Sequence, residues 1–246
     1  MGNYSFYKSK YIEIITITDT KINFQEHSHA DDFVITMITD GYAEFVLNLK
    51  PTHISKGEIF IVSPYEAHSL VSEAAVSVIS VCVKKQAIYD FDKIYFAECI
   101  ERAFTEIKLE NETSNLLMSS VMCIYDKNHN RKIAESDDCE NCRSDLEKYP
   151  EEGKSLSRLA EEAHFSKYHF IRHFKKISGL TPRKFLIQSR IRKAQHLLRE
   201  GKKAADTAAA VGFYDQSHFD KYFKSIVGIT PSEYVCSVSN YLQDKS

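Results

Sequence analysis

Apolar and polar residues alternate with period two through the first third of the chain. Tyr11-Ile12-Glu13-Ile14-Ile15-Thr16-Ile17 is the first such run, and Phe33 to Thr39, Ala43 to Leu49, Glu58 to Ser63 and Val76 to Lys84 follow. Asp40-Gly41, Pro51, Lys56-Gly57 and Pro64 punctuate them. Short half-buried strands broken by turn residues predict a small β-sandwich or barrel. From Phe91 to Asn130 the period becomes helical: Phe96, Ile100, Ala103, Phe104 and Ile107 form one stripe, and Leu117, Val121, Ile124 and Tyr125 another. Residues 126 to 153 are charged, poor in aliphatics and end in Pro150 and Gly153, so they read as a linker.

Beyond the linker the pattern repeats itself. The segment Phe165 to Phe185 recurs between Tyr214 and Tyr234 at a constant offset of 49 residues, a period typical of duplicated supersecondary units. His169-Phe170 matches His218-Phe219, Phe174-Lys175 matches Phe223-Lys224, and Gly179-Leu180-Thr181-Pro182 matches Gly228-Ile229-Thr230-Pro231. In each copy one helix buries a stripe: Phe170, Phe174 and Ile177 in the first, Phe219, Phe223 and Ile226 in the second. Tyr168, Arg172 and Lys175, and in the second copy Ser217, Lys221 and Lys224, point the other way. Gly179 and Gly228 sit where a helix ends in a left-handed residue. Thr181-Pro182 and Thr230-Pro231 open new helices, and Glu233 completes a capping box with Thr230. A shorter helix precedes each, Leu156 to Ala163 and Ala204 to Val211, which gives two helix-turn-helix units. Between them Ile187, Ile191, Ala194 and Leu198 mark one buried face of a spacer helix, Pro182 to Arg199. At about 1.5 Å per residue it spans roughly 27 Å, close to the ~34 Å between successive major grooves.

Charge supports a polyanionic partner. Residues 151–246 hold 17 Lys and Arg against 10 Asp and Glu, so a formal +7 and a −9 over the first 150 residues lie hidden inside a net −2. A basic third with two helix-turn-helix units is the footprint of duplex binding.

The block from Ser155 to Tyr234 resembles the DNA-binding domain of AraC/XylS-type bacterial transcription regulators. The matching residues are Leu159-Ala160, Ser166 with Phe170 and Phe174-Lys175, Gly179-Leu180-Thr181-Pro182, Arg190-Ile191 with Ala194 and Leu197-Leu198, Val211-Gly212-Phe213, Asp215-Gln216-Ser217-His218-Phe219 and Phe223-Lys224. The resemblance implies that the first helix reads DNA with Tyr168, His169, Ile171 and Arg172. Arg172 is the candidate for a bidentate guanine contact. The second would offer Gln216, Ser217, His218 and Lys221, with Gln216 able to read adenine. Lys175 and Lys224 would meet phosphate. One departure stands out: Ala204 and Thr207 replace the larger aliphatics usual in the family, which predicts thinner packing in the second unit.

The N-terminal third is similar to the cupin-like sensing domain that often precedes such a DNA-binding domain. The match rests on His27-Ser28-His29, Gly41, Lys56-Gly57-Glu58-Ile59-Phe60-Ile61-Val62, Pro64 and His68. His27, His29 and His68 occupy positions that many cupins use on a metal. However, the carboxylate expected four or five residues after the second His is replaced by Phe33 and Val34, and Asp31 and Asp32 come too early. The three histidines are therefore assigned to a ligand pocket, with no metal and no cofactor. His53 reads as a surface residue. Cys139-Glu140-Asn141-Cys142 in the linker is a lone C-x-x-C, open to a redox or metal role. Cys82, Cys99, Cys123 and Cys236 read as ordinary buried residues.

The expected fold is α+β and multidomain: a cupin-like β-barrel over residues 1–88, a helical connector and charged linker over 89–150, and an all-α domain with two helix-turn-helix units over 151–246. The expected function is a non-enzymatic, DNA-binding transcription regulator, more in keeping with an activator, whose cupin-like domain senses a small molecule. Its partners would be double-stranded DNA, the effector, RNA polymerase if it activates, and a second copy through the connector helices. Two alternatives stay open, control by a protein partner and a metal-dependent cupin enzyme with a DNA-binding tail. With no signal sequence and no apolar stretch of membrane length, a cytoplasmic protein is expected.

Overall fold

The computed structural model describes residues 3–129 and 138–243. Nine strands build the N-terminal part of the described chain: β1 (Tyr4–Lys8), β2 (Ile12–Thr20), β3 (Asn23–His27), β4 (Asp32–Asp40), β5 (Tyr42–Leu47), β6 (Lys50–Ser55), β7 (Ile59–Val62), β8 (His68–Val71) and β9 (Val76–Lys84). They form a five-stranded sheet, β1-β2-β9-β4-β7, and a four-stranded sheet, β3-β8-β5-β6. Every pairing is antiparallel. No ladder joins the two sheets among the described residues, so the expected barrel is an open sandwich.

The two faces of the larger sheet explain why its central strands read as nearly continuous apolar runs. On the inner face Ile17, Val34, Val78 and Cys82 pack towards Phe45 and Leu70 of the smaller sheet. On the outer face Ile14, Phe33, Ile35, Val81 and Val83 are covered by three helices, α1 (Lys85–Asp90), α2 (Lys93–Glu106) and α3 (Asn111–Asn128). The buried sides of α2 and α3 are the two stripes read from sequence. Asp92 caps α2 by accepting from the amides of Ile94 and Tyr95 at 3.0 Å. The helical segment is interrupted at Lys108, whose φ is +54°.

The linker reading needs correction. Residues 130–137 lie outside the described chain, but α4 (Asp138–Lys148) is a helix docked on the C-terminal half. Cys139, Cys142 and Leu146 are its buried stripe, packed in one cluster with Leu159, Phe170 and Phe174. The C-x-x-C pair thus belongs to an apolar core, with Cys142 Sγ 3.5 Å from the Leu159 carbonyl. Cys82 is buried as expected, Cys99 is half-buried, and Cys123 and Cys236 are exposed.

A single 3-10 turn (Pro150–Glu152) leads into α5 (Leu156–Glu162), α6 (Lys167–Ser178), α7 (Pro182–Arg199), α8 (Ala204–Ala210), α9 (Gln216–Val227) and α10 (Pro231–Gln243). Phe170, Phe174, Phe219 and Phe223 are fully buried, the duplicated anchors of the duplicated helices. The capping box forms: Glu233 accepts from the Thr230 amide at 2.7 Å, and the Glu233 amide donates to Thr230 Oγ1 at 3.3 Å. The second unit is the weaker one. Ser155 caps α5 with its side chain, whereas Lys203 before α8 does not. Thr207 is fully buried with no partner for its hydroxyl among the described residues.

Candidate nucleic-acid interface and effector cavity

The two reading helices begin and end alike. Ser166 accepts from the His169 amide at 3.3 Å and Asp215 from the His218 amide at 2.7 Å, so each N-terminus is capped at the same point of the repeat. Each C-terminus closes on a left-handed glycine, Gly179 (φ +75°) and Gly228 (φ +90°). Between cap and glycine, Tyr168, His169, Arg172 and Lys175 on α6 are exposed, as are Gln216, Ser217, His218, Lys221 and Lys224 on α9. Ile171 differs from the other expected reading residues. It is half-buried and lines a groove with Leu159 and Leu186. The Arg172 guanidinium lies 5.6 Å from the Tyr168 ring centre, which steadies it on the exposed face. His169 packs on Phe165 (4.5 Å between ring centres) and His218 on Tyr222 (4.8 Å), so both are held in place by aromatic neighbours.

Much of the basic charge on α7 is already neutralised. Lys184 pairs with Glu26, Lys193 with Glu151 and Arg199 with Glu13. Arg172, Lys175 and Lys221 form no ion pair among the described residues and present their charge to solvent. That division leaves exposed positive charge on both repeated helices, with Arg183 of α7 and Lys202 and Lys203 after it exposed as well.

The C-terminal ends of both helices meet the β-domain. A Cβ on Gly179 would clash with the Tyr65 carbonyl oxygen, and one on Gly228 would stand 2.8 Å from the Phe24 ring and 2.9 Å from the Tyr4 hydroxyl. The β-domain therefore touches the two repeats at equivalent points. A third contact lies between them. Ser28, fully buried, donates its amide to Gln188 Oε1 at 2.9 Å and its hydroxyl to the Ser178 carbonyl at 3.2 Å. Its carbonyl accepts from Gln188 Nε2 and from Arg192.

A cavity of about 300 Å³ opens beside this contact, walled by both halves. The β-domain contributes His27, His29, His68 and Asp32, and α7 contributes Gln188, Arg192, Gln195 and Arg199. The three histidines converge, with ring centres 4.3 to 5.3 Å apart. Strand register explains this, because His27 of β3 pairs directly with His68 of β8. Burial, reinforced by His68, drives the His27 imidazole down to about 3, and burial also holds His29 well below and His68 below the usual range. Burial thus favours the neutral form of all three imidazoles. Burial raises the Asp32 carboxyl, while Arg192 pulls it the other way. His53 is exposed.

With the two-half architecture in place, two known families match. The family described as AraC-like ligand binding domain matches residues 9–82, and the one described as Helix-turn-helix domain matches residues 159–236. Together they cover more than half of the sequence.

The chain belongs to the AraC-type transcription regulators.

This AraC-type chain is 40% identical over 70 residues to the uncharacterised HTH-type transcriptional regulator YbfI of Bacillus subtilis, a match spanning 28% of this chain and 26% of YbfI. Its fold is that of ToxT from Vibrio cholerae O395, at 17% identity and a TM-score of 0.62, covering 94% of this chain and 99% of ToxT. A second ToxT structure, described as unsaturated fatty acid bound, superimposes with a TM-score of 0.61 at 16% identity, covering 98% of each chain. Within the AraC-type frame, Ser28 and the α7 residues are the part that sequence reasoning missed. The signal was present: Gln188, Arg192, Gln195 and Arg199 recur at i, i+4, i+7 and i+11, a polar stripe parallel to the apolar one.

Proposed function

We propose that this regulator binds duplex DNA sequence-specifically through α6 and α9, and that a small molecule in the cavity between its halves controls it. One observation carries this reading. The β-domain meets both repeats at the glycines that end α6 and α9 and leaves Tyr168, His169, Arg172 and Lys175, and Gln216, Ser217, His218, Lys221 and Lys224, exposed. Arg172, Gln216 and their neighbours would read base edges, while Lys175 and Lys224 would meet phosphate. Residues 1–88 would act as the sensor, residues 89–150 as connector and residues 151–246, now with α4 added, as the DNA-binding unit. That ToxT, of the same fold, has been described with a bound fatty acid supports a small-molecule effector in this chain too.

The exposed Ile94, Tyr95 and Leu116 on α2 and α3 support a homodimer through the connector. Activation, with contact to RNA polymerase, is the proposed outcome of DNA binding. No helix among the described residues is long and apolar enough to cross a membrane, in keeping with a cytoplasmic protein, and no enzymatic activity is proposed.

The test is selection of fragments from the source genome by the full chain, against excess bulk DNA at low ionic strength. A reproducible set of fragments supports the reading, and equal retention of all fragments overturns it. Thermal-shift screening of metabolites then tests the effector, since a ligand at 100 times its dissociation constant adds about 2.7 kcal/mol. Stabilisation only by a co-purifying protein would replace the small molecule with a protein partner.

A further inference from the structure

We propose that Tyr214 is a further DNA-contacting residue of the second unit, its phenol hydroxyl donating to a backbone phosphate beside the groove that α9 enters. This rests on the duplex-binding reading and extends it to a residue that has no counterpart in the first unit.

The two repeats are not the same length. The caps of the reading helices, Ser166 and Asp215, lie 49 residues apart, but the residues that precede the short helices, Ser155 and Lys203, lie only 48 apart. The second turn therefore holds one residue more, 211–214 against 163–165. Packing shows which residue is the surplus one. Phe165 of the first turn lies against His169, with 4.5 Å between ring centres. In the second turn Phe213 takes that place, 5.8 Å from His218 and 5.4 Å from Phe219, and is buried. The added residue is Tyr214, which is 98% exposed.

Its backbone is nonetheless held on both sides. Gly212 turns the chain at φ +86°. The amides of Gly212 and Phe213 donate to the carbonyls of Ala209 and Ala208 at 3.1 and 3.0 Å. On the other side Asp215 caps α9 by accepting from the His218 amide at 2.7 Å. A ring so placed adds nothing to the core, and its fixed backbone lets it make an outside contact at little ordering cost.

The place of Tyr214 in the unit names the contact. A reading helix that presents its N-terminal residues to base edges sets the residue before its cap at the wall of the groove, where the phosphates run. A phenol donates one hydrogen bond, and tyrosine hydroxyls are among the ordinary donors to phosphate oxygens. The first unit uses its tyrosine differently. Tyr168 lies inside α6 with the Arg172 guanidinium 5.6 Å from its ring centre. The positions matching that pair at the 49-residue offset are Ser217 and Lys221, so in the second unit the aromatic residue stands three places earlier, outside the helix. The contact is also uncharged. It releases no counterion, so it adds affinity without adding to the salt dependence.

The experiment measures binding of the full chain to a fragment that the wild type selects from the source genome, across a salt series. Tyr214→Phe should bind about threefold to tenfold more weakly, by the same factor on point variants of the fragment, with the slope of log affinity against log salt unchanged. Tyr214→Ala should lose at least as much. Circular dichroism should match the wild type for both, and if the alanine variant is misfolded the phenylalanine variant decides. Methylphosphonates placed singly along the fragment should include one position whose substitution costs the wild type more than it costs Tyr214→Phe. Wild-type affinity in Tyr214→Phe, a changed salt slope, a loss confined to one base pair, or no such coupled phosphate would each overturn the assignment and leave the regulator reading standing. A wild type that selects no fragment at all would sink the regulator reading, and this assignment with it.

Discussion

Replacing Gln188 with alanine should loosen the two halves of the molecule without unfolding either. Gln188 serves Ser28 twice, accepting from its amide at 2.9 Å and donating to its carbonyl. After truncation the carbonyl keeps Arg192, but the buried amide has no partner. A buried donor left unpaired costs about 1–3 kcal/mol, and the lost bond to the carbonyl about 0.5–1.5 more. Water from the adjoining cavity of about 300 Å³ can reach the amide and offset part of this. A net loss of about 2 kcal/mol corresponds to roughly a 30-fold increase in the population of the open form. Because the Ser28 amide itself loses its partner in the variant, native-state hydrogen exchange is read at the Gly179 amide, bonded to the Lys175 carbonyl at 2.9 Å and seated against the β-domain. Gln188→Met separates the causes, because it has nearly the same length but no hydrogen-bonding groups. It should be as damaging as alanine. Rescue by methionine would show that packing holds the seam, and unchanged exchange in both variants would show that Ser28 does not latch the halves together.

Arg172→Ala should cost about 1–3 kcal/mol and relax preference at one base position; uniform weakening across sequences would make it a phosphate contact instead. Lys224→Ala should lower the slope of log affinity against log salt by about one without changing the preferred sequence, and an unchanged slope refutes the phosphate role. Thr207→Val removes a buried hydroxyl that has no partner in the described structure and should stabilise the chain by about 1 kcal/mol in urea denaturation; a loss of stability would mean the hydroxyl is satisfied. Gly201→Ala and Gly179→Ala both force alanine into left-handed backbone, at about 1–2 kcal/mol. Only at Gly179 does the new Cβ clash with a carbonyl, that of Tyr65, while Gly201 has nothing within 4 Å. Gly179→Ala alone should therefore accelerate exchange at Ser28, and equal behaviour of the two variants would contradict a close contact there.

The repeated unit was the most legible part of the sequence. A period of 49 residues fixed the buried phenylalanines and closing glycines of α6 and α9, and Thr181-Pro182 marked the start of α7, whose apolar stripe lies on its buried face. What escaped had physical reasons. β3 reads Asn-Phe-Gln-Glu-His and is an edge strand with no fully buried residue, so it carries no apolar alternation. α4 was hidden because two members of its buried stripe are cysteines, which invite a chemical reading; Cys139, Cys142 and Leu146 at i, i+3 and i+7 are simply its apolar side. The grouping of His27, His29 and His68 in one pocket came from the family resemblance alone, because it depends on β3 pairing with β8, a register no local pattern reveals. The Ser28 side of the seam was missed because its contacts are polar, and polar residues on a helix are ordinarily assigned to solvent.

The seam is not uniform, and its asymmetry bears on how an effector could act. On the side of the second repeat the contact is apolar. Phe6 meets Tyr234 at 5.0 Å between ring centres, and Tyr4, Phe219 and Phe223 share one buried cluster with them. Separating that side would expose aromatic surface worth several kcal/mol. On the side of the first repeat the contact is largely hydrogen-bonded, through Ser28 to the end of α6 and through the Tyr65 hydroxyl to Arg143 of α4. A ligand in the cavity borders both sides, but only the polar side can exchange its bonds for ligand or water bonds at little net loss. This difference predicts that the second repeat stays fixed and the first moves when an effector binds. An effector that favours one arrangement of Ser28 would change the angle between α6 and α9 without parting the halves, and two adjacent grooves of a duplex accept only a narrow range of that angle.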